Sequence, residues 1–185
     1  MTLAKNLAKA AISTVLALSA VYACAALPVG AKAPDFRLDA ALAGKPIPFS
    51  LAKALQKGPV VLYFFPAAFT QGCTLEAHAF AEATDDFNKM SATVIGVTAG
   101  NADRVAEFSK LECRDKFAVA ADPGAKVAAE YQTQFRTKDG KALSERTSFV
   151  IAPDGKILLS YTDANPELHI QKTMGAVKAW HEAKK

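Results

Sequence analysis

Pro59-Val60-Val61-Leu62-Tyr63-Phe64-Phe65 is an unbroken apolar run rich in β-branched and aromatic residues, the pattern of a strand buried on both faces. It runs directly into Pro66-Ala67-Ala68-Phe69-Thr70-Gln71-Gly72-Cys73. Beyond that point Leu75, Phe80, Ala83 and Phe87 recur near helical spacing, which predicts a helix over 74–89. Strand, short loop and helix therefore follow one another, with Cys73 at the helix N-terminus. A second apolar run at 91–98 follows, so the helix should cross over between parallel strands.

The same alternation continues to the C-terminus. A helix is expected over 103–112, with Asn101 or Ala102 near its cap, then a short strand at 117–120. A short helix is expected over 123–131, with Pro123 near its first position. Runs at 147–152 and 156–161 flank Pro153-Asp154-Gly155, a hairpin signal. Pro166 starts a last helix, in which Ile170, Met174, Val177 and His181 fall at spacings of four, three and four and form one packing stripe. Trp180 reads as an edge or core aromatic. The expected class is α/β, a central mixed sheet flanked by helices, with parallel strands first and an antiparallel pair last.

Of the 185 residues 51% are hydrophobic and 22% charged, enough for one globular domain and too apolar for disorder. A core of that size needs neither disulfides nor a structural metal, which leaves the three cysteines for chemistry. Lys+Arg total 22 against 18 Asp+Glu, and no basic run accompanies the small excess, so nucleic acid is not an expected partner. Two of those lysines, Lys5 and Lys9, precede an apolar stretch at 10–23 and the small-x-small sequence Ala23-Cys24-Ala25. Residues 1–25 thus read as a secretory signal peptide, leaving a domain over 26–185 and no membrane span in the mature chain. Lipidation of Cys24 is the competing fate, since Val21-Tyr22-Ala23-Cys24 loosely matches a lipobox. Either way Cys73 and Cys113 remain. In an exported chain such a pair can be a plain structural disulfide.

The surroundings of Cys73 argue for reactivity. Unpaired N–H groups and the positive end of the helix dipole favour an anion, and thiolate is the nucleophilic form of cysteine. Thr70, three residues earlier, can direct its hydroxyl at the sulfur and at an oxygen-containing substrate. Pro66 has no N–H and a stiff apolar ring that shields the thiolate from water.

Pro66-x-x-x-Thr70-x-x-Cys73 resembles the active-site motif of the peroxiredoxins. Gly72-Cys73-Thr74-x-Glu76-Ala77 is similar to the bacterioferritin-comigratory, or Q-type, branch. Gly30-x-x-Ala33-Pro34-Asp35-Phe36-x-Leu38 resembles the family's opening, and Arg146-Thr147-Ser148-Phe149 with Pro153-Asp154-Gly155 a later strand. The resemblance implies a thioredoxin-like fold and thiol-dependent reduction of hydrogen peroxide and organic hydroperoxides, without metal, haem or flavin. It implies that Cys73 attacks a peroxide oxygen and becomes a sulfenic acid. Thr70, helix-end N–H groups and a guanidinium would hold the oxygens. Arg146 is the candidate guanidinium and Arg136 the fallback.

Two departures stand out. The branch often has a second cysteine five residues after the first, and that place is His78 here, so no intrahelical disulfide can form. Ala67-Ala68-Phe69 replaces residues that are commonly charged, which suggests a more apolar mouth. Cys113, at the end of the next predicted helix, is the candidate resolving cysteine; its alternative is an inert buried thiol. Recycling then calls for a thioredoxin-like or other thiol reductant, in the periplasm if the chain is exported, with the protein expected as a monomer. A one-cysteine peroxidase resolved by an external thiol, and an exported thiol-redox sensor, are the alternatives. There is no Cys-x-x-Cys for a disulfide reductase, and the three histidines are too scattered for a metal site.

Overall fold

The computed structural model describes residues 26–184; the leader and Cys24 lie outside the described residues. The chain opens with strands β1 (Arg37–Leu42) and β2 (Lys45–Ser50) and helix α1 (Leu51–Leu55). Next come β3 (Val60–Ala67), α2 (Gln71–Lys89), β4 (Thr93–Gly100), a 3₁₀ turn (Ala102–Arg104), α3 (Val105–Leu111) and β5 (Ala118–Ala121). Helix α4 (Lys126–Glu130) precedes the small hairpin β6 (Gln134–Arg136) and β7 (Ala142–Ser144). The chain closes with β8 (Thr147–Ile151), β9 (Ile157–Thr162) and α5 (Glu167–Glu182).

Seven strands form one mixed sheet in the order β2-β1-β5-β4-β3-β8-β9. β3 lies inside it, parallel to β4 with Val61 opposite Val94, and antiparallel to β8 with Leu62 opposite Phe149. Side chains alternate across a strand, and β3 splits accordingly. Val60, Leu62 and Phe64 enter one apolar cluster with Phe36, Tyr131 and Phe149. Val61, Tyr63 and Phe65 enter a second cluster with Phe80, Phe87, Phe108 and Phe117. Each such side chain contributes about 1.5–3 kcal/mol when fully buried, which makes β3 the common wall of both cores. The second cluster, covered by α2, α3 and α5, also contains Cys73 and Cys113.

The expected parallel crossover and terminal hairpin are present, and the fold is α/β with a central mixed sheet. The β1–β2 hairpin was not foreseen. Its turn places Ala43 and Gly44 at φ 51° and 75°, a geometry usually announced by Asn-Gly or Asp-Gly. Pro46 and Pro48 also disguise β2, which tolerates them because it lies at the sheet edge.

Helix α2 starts at Gln71, three residues earlier than expected, and the predicted 103–112 helix divides into the 3₁₀ turn and α3. Helix α4 starts at Lys126 because Gly124 and Ala125 turn with positive φ, and Asp122 receives hydrogen bonds from the N–H groups of Val127 and Ala128. On α5 the buried stripe is His169, Thr173 and Val177. Ile170, Met174 and His181 are only half-buried, as is Trp180. No helix among the described residues is long and apolar enough to cross a membrane.

Candidate active site

The turn from β3 into α2 is three residues long and tightly fixed. Ala68 donates its N–H to Gly100 (3.0 Å), and its carbonyl accepts from the Asn101 side-chain amide at 2.8 Å. Phe69 then takes φ 63°, a left-handed conformation that bulky residues seldom adopt. It is held there from both sides: Phe108 meets its ring edge-on at 5.1 Å, and the Arg104 guanidinium lies 3.9 Å from its centroid. Ala68 is buried, while Ala67 and Phe69 are half-buried, the latter under the Arg104 guanidinium.

Thr70 caps α2, its carbonyl accepting from Thr74 N–H at 2.9 Å. Its hydroxyl donates to the Ala67 carbonyl at 3.1 Å rather than to sulfur. Cys73, the third helical residue, is 1% exposed and points into the second apolar cluster.

Arg146 reaches this thiol from just before β8, 73 residues away in sequence. Its Nη2 lies 3.5 Å from Cys73 Sγ, its Nη1 donates to Glu76 Oε2, and its Nε donates to the Ala164 carbonyl at 3.1 Å. All three corners of the guanidinium are thus engaged, which fixes its plane. Gly72 permits the approach, since a Cβ there would stand 3.1 Å from Nη2. Burial opposes the arginine's charge, but Glu76 and Cys73 outweigh it and hold the guanidinium above its ordinary value.

Glu76 is fully buried, and burial pushes its carboxyl up to about 8 even against the pull of Arg146. Its Oε1 has no hydrogen-bond partner and sits 3.7 Å from His169 Nδ1. His169 Nε2 donates to the Asp163 carbonyl (3.0 Å), which leaves Nδ1 to accept from the Ser148 hydroxyl (2.8 Å). Burial keeps this imidazole below its ordinary value and hence neutral. Sequence quoted Glu76 only as part of a motif and assigned nothing to His169 or Ser148. A carboxylate one turn after Cys73 on the same helix face was the available signal.

Arg136, the fallback guanidinium, bonds the Gly140 carbonyl at the exposed β6–β7 hairpin and takes no part. His78 is half-buried and meets Glu112 at 2.7 Å, a contact the sequence did not reveal. Cys113 is free and fully buried just beyond α3, its thiol pushed well up by burial and by Glu112. A cavity of about 400 Å³ opens beside Arg146, with Pro66, Phe135, Glu145, Thr162 and Ala164 in its walls.

The arrangement is a thiol at a helix N-terminus with a fixed cation beside it and an open cavity at hand. Arg146 connects the thiol and the cavity, touching the buried sulfur with Nη2 and lining the cavity wall. Comparison with known proteins agrees. The AhpC/TSA family profile matches residues 29–160. The chloroplastic peroxiredoxin Q of Sedum lineare is 34% identical over 131 residues, covering 69% of this chain and 67% of that one. The crystal structure of peroxidoxin BcpB from Mycobacterium tuberculosis superposes with a TM-score of 0.74 at 30% identity, over 82% of this chain and 96% of that one. A reduced 2-Cys peroxiredoxin of Plasmodium vivax shares the fold at 21% identity, with a TM-score of 0.72 over 85% of this chain and 99% of that one. With that fold, that profile and those relatives, the chain belongs to the AhpC/TSA family as a peroxiredoxin similar to the Q type, a thiol-dependent peroxidase.

Proposed function

We propose that Cys73 is the peroxidatic cysteine and that it reduces both hydrogen peroxide and organic hydroperoxides. The observation that carries this is the 3.5 Å approach of Arg146 Nη2 to Cys73 Sγ at the start of α2. The Cys73 thiolate attacks the terminal peroxide oxygen; the S–O bond forms as the O–O bond breaks. The leaving oxygen departs as water or an alcohol once it takes a proton, and the sulfur is left as a sulfenic acid. Charge moves from sulfur to the leaving oxygen along a path that the Arg146 fork and the helix-end N–H groups stabilise. In this reading Thr70 turns its hydroxyl from Ala67 to the bound peroxide, and Pro66 keeps water off the sulfur. The cavity beside Pro66 and Phe135 takes the alkyl part of an organic hydroperoxide.

Cys113 is the resolving residue in this reading. Its thiolate attacks the sulfenic sulfur, the S–S bond forms, and the S–O bond breaks to release water. An external dithiol of the thioredoxin kind then reduces the disulfide by exchange. The enzyme works as an exported monomer, its leader cut near Ala25. Intact mass after one equivalent of hydrogen peroxide, with thiols counted by alkylation, tests this. Loss of two hydrogens and of both thiols is expected. Gain of one oxygen with Cys113 still free makes the protein a one-cysteine peroxidase, and an unreacted Cys73 overturns the site.

A further inference from the structure

The segment that carries Cys113 is tied to α2 at every second residue. Glu112 Oε2 meets His78 Nε2 at 2.7 Å, Arg114 Nη1 donates to Glu82 Oε1 at 3.0 Å, and Lys116 Nζ pairs with Asp85 Oδ2 at 2.9 Å. His78, Glu82 and Asp85 follow one another four and three residues apart, so they form a single row along α2. That row spans roughly 10 Å of helix, and the facing segment closes a turn between its ties, Lys116 N–H donating to the Cys113 carbonyl at 2.9 Å.

Between the ties the backbone is strained. Arg114 and Asp115 take φ of 50° and 60° in succession, the left-handed region that side-chain-bearing residues enter at a cost. Cys113 meanwhile faces inward beside Phe108 and Phe117 in the second cluster. The thiol cannot attack anything from there without the segment lifting. At its other end α3 carries Phe108 and follows Arg104, the two residues that clasp Phe69 of the peroxidatic loop. Neither of those two contacts involves a residue that ties the Cys113 segment to α2.

We propose that the contacts of His78, Glu82 and Asp85 with Glu112, Arg114 and Lys116 form a strap that sets how often the Cys113 segment opens. These six are positioning residues, acting on Cys113 through its backbone. The consequence for catalysis rests on Cys113 being the resolving cysteine; the strap itself does not. The contacts to Arg114 and Lys116 are half-exposed or more, so each is individually weak, a factor of about threefold, and the two together about tenfold.

The test uses the reduced, leaderless protein and the double variant Glu82→Gln/Asp85→Asn. Iodoacetamide labelling of each cysteine is followed by peptide mass spectrometry, beside thermal unfolding. Cys113 labelling is expected to rise about three- to tenfold with Cys73 labelling unchanged. High salt should accelerate it likewise in the wild type and have little further effect on the variant. The swap Glu82→Arg/Arg114→Glu should keep labelling slow. Unchanged Cys113 labelling overturns the strap, as does a parallel rise at both cysteines with a lowered Tm, which would mark general loosening. One equivalent of hydrogen peroxide gives the second readout: disulfide formation should accelerate by the labelling factor. Faster labelling with no disulfide in either protein removes the catalytic consequence while leaving the peroxidase reading intact, and a Cys73 that resists peroxide removes that reading by itself.

Discussion

Arg146 Nη2 stands 3.5 Å from Cys73 Sγ while Nη1 of the same guanidinium binds Glu76, one turn further along the helix that carries the thiol. Helix α2 thus offers a sulfur and a carboxyl, three residues apart, to two corners of one fork. The third corner is fixed by the Ala164 carbonyl. A cation so restrained loses little freedom when charge shifts from sulfur to peroxide oxygen, which is the condition for preorganised stabilisation.

Lysine cannot reproduce that fork. Arg146→Lys is expected to lower kcat/KM for hydrogen peroxide by about 10²–10³, measured from initial rates of peroxide consumption. Arg146→Met leaves the buried Glu76 carboxyl without its partner and should cost about 1–3 kcal/mol of stability. Chemical denaturation should show much of that loss recovered when Glu76→Gln is added. Equal losses in both backgrounds would mean that the Glu76 contact is not what the arginine stabilises.

Glu76 predicts a pH-dependent stability. Its carboxyl is raised by burial, against Arg146, from 4.5 to about 8. A raised carboxyl holds its proton more tightly in the folded state, so its favourable contribution is full below about 4.5 and is lost as pH rises towards about 8. Glu76→Gln carries no such proton. The Tm of the wild type minus that of Glu76→Gln should therefore fall steadily between about pH 5 and pH 8. A flat difference in thermal unfolding across that window would show that the carboxyl is ionised throughout.

Gly72→Ala separates stability from activity. Alanine improves helix propensity by up to about 1 kcal/mol, but its Cβ would stand 3.1 Å from Arg146 Nη2. The guanidinium must shift by a few tenths of an ångström. Peroxide reduction should slow by about tenfold with Tm equal or higher; an unchanged rate would show that the arginine has room to adjust.

Thr70 donates its hydroxyl to the Ala67 carbonyl in the substrate-free loop. If that hydroxyl turns to bound peroxide, Thr70→Ser should keep the rate within about threefold and Thr70→Val should lower it by about 10–100-fold. Sulfenic acid formation on Cys73, trapped by dimedone, reads this step directly. Equal rates in the two variants would confine Thr70 to holding the loop.

Several elements were legible because their signals are local. The run at 59–65 is apolar at every position, and only a strand covered on both faces supports that, so β3 and its neighbours followed. The loop-to-helix placement of Cys73 and the later strand behind Arg146 were equally plain. β2 was hidden by prolines that only an edge position permits, and α5 turned a different face inward because His169 finds Ser148 and Asp163 as partners.

Residue pattern by itself therefore determined the alternation of the central strands and helices and the helix-end position of Cys73, while the resemblance to the peroxiredoxins pointed to Arg146. Only the tertiary structure decided that Glu76 shares the guanidinium, that His169 backs Glu76, and that the Cys113 segment is strapped to α2. Periodicity records which face of an element is apolar. Which polar groups meet across 30 to 70 residues of chain depends on how those faces pack, and burial then sets what their charges cost.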